Sequence, residues 1–425
     1  MQKTVHVQVK DNSPSIERIL SLIVYTSWLL GVGVAHPRKC PKAITIIIRI
    51  IHVTVCFFSM KYDIIFFIFH PFIYGYIPVF PYQDLHFLNR VMCCVSAYYY
   101  IYHGIRQYNK WPELMDRLQE LDQKIKKEIS INNWPIKIIE ALAIFTTFIF
   151  CPLMPIIQAL YYLRHLSRPE GLMFYYILAQ SMINNFVFVV IVYVLYNRFQ
   201  TVNKLIGQLD KLSDVQWIAF KIRRIRELHT DICDLATMVN NIHGLHLLFS
   251  SGNCFTMAIT SLFYLFNVRD PAWLPLMHHF LCITYFMQFC LICWICTLAC
   301  QESNRTGGIM HKVILNCQPV NPDNNGASNQ SSLEMRFALE GLNSEQNSNC
   351  SSHNSYVVEN FLRRNLDLEC VTEEVNDFST QLQQNRVAFT AYNFFEINNI
   401  SFGCFVGVTV TYLIFFQQLG RQRKY

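Results

Sequence analysis

Stretches of about 20 mainly apolar residues, each enough for one helical crossing of a bilayer core, recur along the chain at 16–35, 43–62, 85–105, 136–161, 173–196, 242–267, 276–300 and 399–419. Between them the pattern turns amphipathic. In WPELMDRLQELDQKIKKEI, Leu114, Leu118 and Leu121 fall at helical spacing with charges between them. IAFKIRRIRELHTDICDLATMV, from Ile218, has the same period, so helices are expected to run on beyond the apolar stretches. The stretch 316–355 breaks the pattern. Asn, Ser, Gln, Gly and Pro dominate it, leaving too little apolar surface to fold, and a disordered insert is expected. No solenoid or inverted-transporter repeat is present.

Lys and Arg set the orientation. The segment 106–135 carries Arg106, Lys110, Arg117, Lys124, Lys126 and Lys127, and 197–241 carries Arg198, Lys204, Lys211, Lys221, Arg223, Arg224 and Arg226. The segment 301–398 carries Arg305, Lys312, Arg336, Arg363, Arg364 and Arg386. By contrast 63–84 has none, 268–275 has only Arg269, and 162–172 has Arg164 and Arg168. Rich and poor loops alternate, and the rich ones belong in the cytoplasm. Arg38, Lys39 and Lys42 put 36–42 inside too, and Lys3, Lys10 and Arg18 put the N-terminus there. With both ends inside, 16–35 does not cross. Glu17, Arg18, Gly31 and Gly33 at its margins suit a re-entrant or interfacial segment. The expected fold is an all-α integral membrane protein with seven transmembrane helices, N-terminus cytoplasmic and C-terminus extracellular, preceded by that segment. The basic tail, Arg421, Arg423 and Lys424, runs against this orientation, which the earlier segments outvote. The sequons at Asn304, Asn329 and Asn349 then lie inside and stay unglycosylated.

Composition agrees with a bilayer as solvent. Of 425 residues, 52% are hydrophobic and only 15% charged, well under the quarter or so typical of soluble domains, and Phe (33) and Tyr (22) abound. The net charge of +6 is scattered and forms no basic face, so no nucleic-acid partner is expected. The 16 Cys lie mostly in apolar runs such as CLICWICTLAC (Cys290 to Cys300), where they act as small hydrophobes rather than zinc or redox ligands. The predicted outer loops contain none, so no structural disulfide is expected. His278 and His279 point apart on a helix with no carboxylate near. No metal and no cofactor is expected, and no zinc, catalytic Ser or paired-carboxylate motif suggests an enzyme. The polar N-terminus, MQKTVHVQVKDNSPSIER, carries no cleavable signal.

The most specific residues close the chain. Asn399 to Leu419 makes about 30 Å of helix, one bilayer core. At about 100° per residue, Gly407, Thr411, Phe415 and Gln418 share one side, a small and polar stripe on an otherwise apolar helix. Gly403 and Gly407 form a GxxxG that permits close helix approach. An amide facing hydrocarbon is costly, whereas four copies around a water-filled axis would offer a ring of Gln418 amides, with apolar neighbours closing the pore by dewetting. No Asp or Glu lies in this helix, so weak selectivity among cations is expected. The alternative is that Thr411 and Gln418 hydrogen-bond to neighbouring helices.

Thr411-Tyr412, five residues and Gln418-Leu419 resemble the closing signature of insect gustatory receptors: Thr-Tyr, five mainly hydrophobic residues, then Gln-Phe. FFEINN, from Phe394 to Asn399, is similar to that family's run into its last helix. Leu419 stands where Phe is usual, and Gln417 where an apolar residue is usual. Leu413 stands where sugar-sensing members carry Glu. The resemblance implies a multi-pass receptor of the plasma membrane, a tetrameric ligand-gated cation channel. Thr411, Phe415, Gln418 and Leu419 would lie at its pore and gate, and Gly403, Gly407 and Tyr412 in helix packing. It also implies a division into a cytoplasmic N-terminus with the re-entrant segment (1–42) and a six-helix ligand-sensing bundle (43–300). A cytoplasmic loop with anchor helices (301–398, holding the 316–355 insert) and a pore-lining helix with a short tail (399–425) would follow.

Polar and aromatic residues cluster in the outer halves of several spans: Gln158 and Tyr161; Tyr176, Gln180 and Asn184; Thr260 and Tyr264; Thr284, Tyr285 and Gln288. At membrane depth such side chains face a bundle interior or a cavity, and an aromatic pocket with a few hydrogen-bonding groups suits a small, moderately apolar molecule. Interhelical glue is the bland reading for any one of them. The resemblance implies a tastant as the partner, a bitter plant compound by default, with membrane lipid around the chain and either identical copies or other gustatory receptors completing the tetramer. An odorant receptor shares the span count and orientation. A G-protein-coupled chemoreceptor would need an Asp-Arg-Tyr after the third span and an Asn-Pro-x-x-Tyr in the seventh, both absent here.

Overall fold

The computed structural model describes residues 15–38, 40–74, 80–162, 170–209, 215–267, 273–317 and 370–422. Side chains are described over most of these, but not over 66–86, 150–175, 266–278 and 313–317, nor at 416 and 419–422, among others.

The first apolar stretch does not form one helix. It breaks into α1 (Ile16–Ile19) and α2 (Ser21–Leu29), and a helix as short as α2 reaches only about 14 Å, half a bilayer core. The Ser15 hydroxyl starts α1 by accepting from Arg18 N–H at 3.4 Å. α2 ends in a Schellman turn, with Val32 N–H donating to Ser27 O at 3.1 Å and Gly31 N–H to Trp28 O at 3.0 Å. Gly31 (φ 69°) and Gly33 (φ 68°) are both left-handed, and a Cβ on either would collide with His52 or Asn184. The ends of the segment meet: Arg38 Nε lies 3.1 Å from Glu17 Oε1, and Arg38 Nη1 lies 2.7 Å from Asp116. The two ends of the segment thus lie close together.

The later apolar stretches all lie in long helices: α3 (Lys42–Tyr74), α4 (Phe80–Arg106), α6 (Trp134–Tyr162), α7 (Glu170–Ile206), α8 (Val215–Asn267), α9 (Trp273–Cys317) and, after α10 (370–384), α11 (Asn399–Gln422). The predicted amphipathic stretch from Ile218 is the first half of α8, which runs unbroken for 53 residues. Between α4 and α6 lies α5 (Lys110–Lys126), which buries Leu114, Leu118 and Leu121 together with Trp111, Met115 and Ile125. Glu113–Arg117 (3.2 Å) and Glu120–Lys124 (3.0 Å) pairs line its other face.

Polarity in α3 and α6 is inverted relative to a soluble protein. On α3, Arg49 and Thr45 are buried while Ile46, Ile47, Ile50 and Ile51 are about half exposed. On α6, Glu140 and Thr147 are buried while Leu142, Phe145 and Phe148 face out. Apolar side chains outward and polar ones inward is the arrangement a hydrocarbon solvent selects. Among the described residues, 176–206 and 279–312 are in addition each long and apolar enough to cross a bilayer by composition alone. The buried charges have work within the chain. Arg49 donates to Gly33 O at 2.9 Å, and Glu140 accepts from Ile23 N–H at 2.9 Å, capping α2 from a distant helix.

The chain divides into two units. The first draws on the segments Met1–Arg198, Asp234–Cys300 and Val387–Tyr425. Within it, the fully buried Arg198 holds Asp122 with two bonds, 2.7 and 3.1 Å, and donates to Asn133 Oδ1 at 3.0 Å. Burial pushes the Asp122 carboxyl up against the pull of Arg198.

The second unit draws on Phe199–Cys233 and Gln301–Arg386. Asn203 donates to Glu302 O (2.8 Å) and Oε1 (2.9 Å) and accepts from Thr306 (2.7 Å). Arg226 pairs with Glu374 and Asp377 at 3.2 and 2.6 Å. His229 is fully buried between Phe199 and Phe378, 3.4 Å from Ser303 Oγ and well short of the predicted span 242–267. Burial pushes its imidazole down to about 4, only partly offset by Ser303. The unfolded chain takes up this proton near the ordinary value, so stability holds above pH 6.5 and falls as pH drops from there to about 4. At about 1.4 kcal/mol per pH step the full loss is about 3 kcal/mol. Thermal denaturation in detergent between pH 7 and 4 checks this, and His229→Phe should flatten the profile; an unchanged slope in that variant would refute the assignment.

Candidate functional site

α11 starts on a cap, with Asn398 Oδ1 accepting from Ser401 N–H at 2.9 Å, and Asn399 N–H donates to Thr297 Oγ1 of α9 at 3.0 Å. From there it touches its own chain along one stripe. Phe405 and Thr409 are buried, and Phe405 packs against Phe286 (5.2 Å) and Phe289 (4.7 Å) of α9. Gly407, Thr411, Phe415 and Gln418, the stripe read from the sequence, are all exposed and lie on the opposite side of the helix. Thr411 turns its hydroxyl back to Gly407 O at 2.9 Å. A Cβ on Gly403 or Gly407 would meet nothing within 4 Å, so the GxxxG face has no neighbour in the described chain. Tyr412 meets Phe255 of α8 edge-on at 5.8 Å, a packing contact. The side chain of Leu419 lies outside the described residues.

The predicted ligand residues fall into groups. Gln158 and Tyr161 lie on α6, their side chains outside the described residues. Tyr176, Gln180 and Asn184 share one face of α7, and that face receives the α2 turn. Gln180 donates to Leu30 O at 2.8 Å and to Tyr176 OH at 3.0 Å. Tyr176 in turn bonds His52, whose other nitrogen meets Leu29 O at 3.0 Å. Asn184 Oδ1 lies against Gly33. Thr260, Tyr264, Tyr285 and Gln288 are buried on α8 and α9, with Tyr285 OH 3.9 Å from Cys93 Sγ of α4. Half-buried Thr284 bonds Phe280 O at 2.8 Å.

Around Tyr285 and Gln288 the interior is more polar than the sequence reading anticipated. Asn253 donates to Ser96 Oγ at 2.8 Å, and His243 Nδ1 faces His246 Nδ1 at 3.4 Å, both buried. Both amide atoms of Gln288 and of Asn185, and Oδ1 of Asn253, are buried with no hydrogen-bond partner among the described residues. Each such group, left unpaired, costs about 1–3 kcal/mol. Asn240, His243, His246, Ser250 and Asn253 recur at helical spacing through α8, a signal the sequence carried. Two open clefts lie elsewhere. One of about 430 Å³ is lined by Lys110, Glu113, Arg117 and Asp234 among others, and one of about 260 Å³ in the second unit by Ser303, Asn304 and Gly307 among others. Neither presents an aromatic wall.

The approach to α11 is a tight hairpin. Val387, Phe389 and Ala391 alternate inward as in a strand, and Thr390 bridges Glu396. Phe394 N–H donates to Ala391 O at 3.0 Å, closing a turn whose central residues, Tyr392 (φ 51°) and Asn393 (φ 62°), are both left-handed without being glycine. That conformation costs about 1–3 kcal/mol per residue and persists only where neighbours impose it.

Long helices with apolar outer faces, a polar interior and a last helix half uncovered define a polytopic membrane protein. The family follows from the sequence match: residues 20–335 and 336–420 fit the model of the 7tm chemosensory receptors, and the chain belongs to that family, one of receptors and not of enzymes. Two solved structures share the fold, both of the insect olfactory receptor OR5 from Machilis hrabei. One superposes with a TM-score of 0.58 at 14% identity, the other, in complex with eugenol, with 0.57 at 11%. Each covers 95% of this chain and 97% of the other. No curated protein matches the sequence.

Proposed function

We propose that this chemosensory receptor is a gustatory-type, ligand-gated, weakly selective cation channel of the plasma membrane, assembled from four subunits with α11 lining the pore. The observation that carries this reading is the exposure of Gly407, Thr411, Phe415 and Gln418 on the side of α11 opposite its packing stripe. A helix that turns its polar stripe and its GxxxG away from its own chain needs either neighbouring copies or water on that side. The Thr411-Tyr412 to Gln418 signature supports the gustatory branch. The buried amides of Gln288 and Asn185, without a hydrogen-bond partner among the described residues, support a small hydrogen-bonding tastant, and a bitter plant compound fits that chemistry. Thr260, Tyr264 and Tyr285 would supply the apolar and aromatic wall. On this reading the N-terminus is cytoplasmic and the C-terminus extracellular.

A second reading, an odorant receptor, is favoured by one observation: two solved structures of like fold are of an olfactory receptor, one of them in complex with eugenol. The deciding experiment is whole-cell current from cells expressing this chain alone, challenged with plant alkaloids, glycosides, sugars and eugenol. The expected result is a fast current reversing near zero voltage, evoked by an involatile compound and surviving G-protein block. A response to eugenol alone favours the odorant reading. A slow response abolished by G-protein block would overturn the channel.

A further inference from the structure

We propose that the Ala391–Phe394 turn is the coupling element between the helical bundle and α11, and that Asn240 is the residue that positions it. Asn240 meets Thr390 with both ends of its amide: Oδ1 accepts from Thr390 N–H at 2.7 Å and Nδ2 donates to Thr390 Oγ1 at 3.2 Å. The side chain of α8 thus acts as a short partner strand for the hairpin. The same Thr390 hydroxyl accepts from Asn393 N–H at 3.3 Å and donates to Asn393 Oδ1 at 3.1 Å, which fixes the second left-handed residue. One turn along α8, Gly244 lets the backbone pass: a Cβ there would sit 3.3 Å from Tyr392 N and 3.5 Å from Thr390 O. Phe389, at the hairpin base, packs edge-on against Phe188 of α7, which packs on His243 of α8. With Asn399 N–H bonded to Thr297 of α9, three bundle helices grip the few residues that lead into α11.

Beyond that grip α11 packs through the aromatic stripe around Phe405, and the hairpin sets where the helix starts and how it is turned. The hairpin has two arrangements. Clamped, Tyr392 and Asn393 are held left-handed; released, they relax to ordinary backbone and α11 shifts with them. Any rearrangement of α7, α8 or α9 around a guest bears on this clamp, which gives a physical route from the bundle to the last helix. The clamp holds α11 in its resting position. This deepens the channel reading and rests on it, since the consequence of moving α11 is ion flow.

The test compares the full-length chain with Asn240→Leu and Asn240→Asp, purified and reconstituted in liposomes, by hydrogen exchange and by unliganded cation flux. In Asn240→Leu, exchange of the amides of 389–398 is expected to rise about 10-fold while those of α8 and α9 keep their protection, and resting flux is expected to rise by a similar factor. Asn240→Asp keeps the acceptor for Thr390 N–H and should restore most of the protection. Unchanged exchange over 389–398, or a loss spread evenly over the bundle, overturns the proposal. Local release with no ion flux from any of the proteins sinks the channel reading and leaves the clamp standing.

Discussion

Asp122→Ala is expected to cost about 3–5 kcal/mol, the penalty for stranding a buried charge. Arg198 is fully buried, and besides its two bonds to Asp122 it donates to Asn133 Oδ1. Removing the carboxylate leaves a guanidinium that cannot lose its proton and cannot reach bulk water. The effect therefore exceeds what the pair adds to stability when intact. Asp122→Leu combined with Arg198→Met removes both charges and fills the space with apolar volume, so it should recover most of the loss. Thermal denaturation of the detergent-solubilised protein separates the two. A single Ala variant within about 1 kcal/mol of wild type would mean that water reaches this pair.

Gln418→Arg is expected to abolish cation current while the protein still reaches the cell surface. If four copies of Gln418 ring a pore, the substitution sets four positive charges around the ion path. One such charge about 6 Å from a passing ion, at an effective dielectric of about 20, raises its energy by about 3 kcal/mol, and the four act together. Gln418→Glu should do the reverse and raise divalent permeability relative to sodium several-fold. Both are read from reversal potentials and current amplitudes against surface biotinylation. Two variants that conduct as wild type would remove Gln418 from the ion path.

Much of the fold was legible because helical periodicity and loop charge are local quantities. The spacing of Leu114, Leu118 and Leu121 fixes the buried face of α5 whatever packs on it. Gly31 and Gly33 likewise marked where α2 has to stop, since both adopt left-handed backbone there. Which partner a polar residue meets is not local. Tyr176, Gln180 and Asn184 announce a polar face of α7 at helical spacing, yet nothing in their own neighbourhood of sequence reveals that Leu30 and Gly33 arrive there from far away along the chain. The hairpin before α11 was hidden for another reason. A left-handed pair is normally marked by glycine, and Ala-Tyr-Asn-Phe has none; only Asn393 hints at it. Asn240 was illegible in the same way, since its role exists only once Thr390 lies beside it.

The N-terminal segment also has a consequence for biosynthesis. Its backbone is held by Arg49 and by Glu140, and the Ile23–Glu140 bond joins residues 117 positions apart. The ribosome must therefore deliver α6 before that segment can settle, and until then the Ile23 N–H lacks its final partner. The segment has to wait, shielded by the insertion machinery or lying at the membrane surface, while α3, α4 and α5 emerge. Assembly of this receptor thus completes its beginning only after its middle has been made.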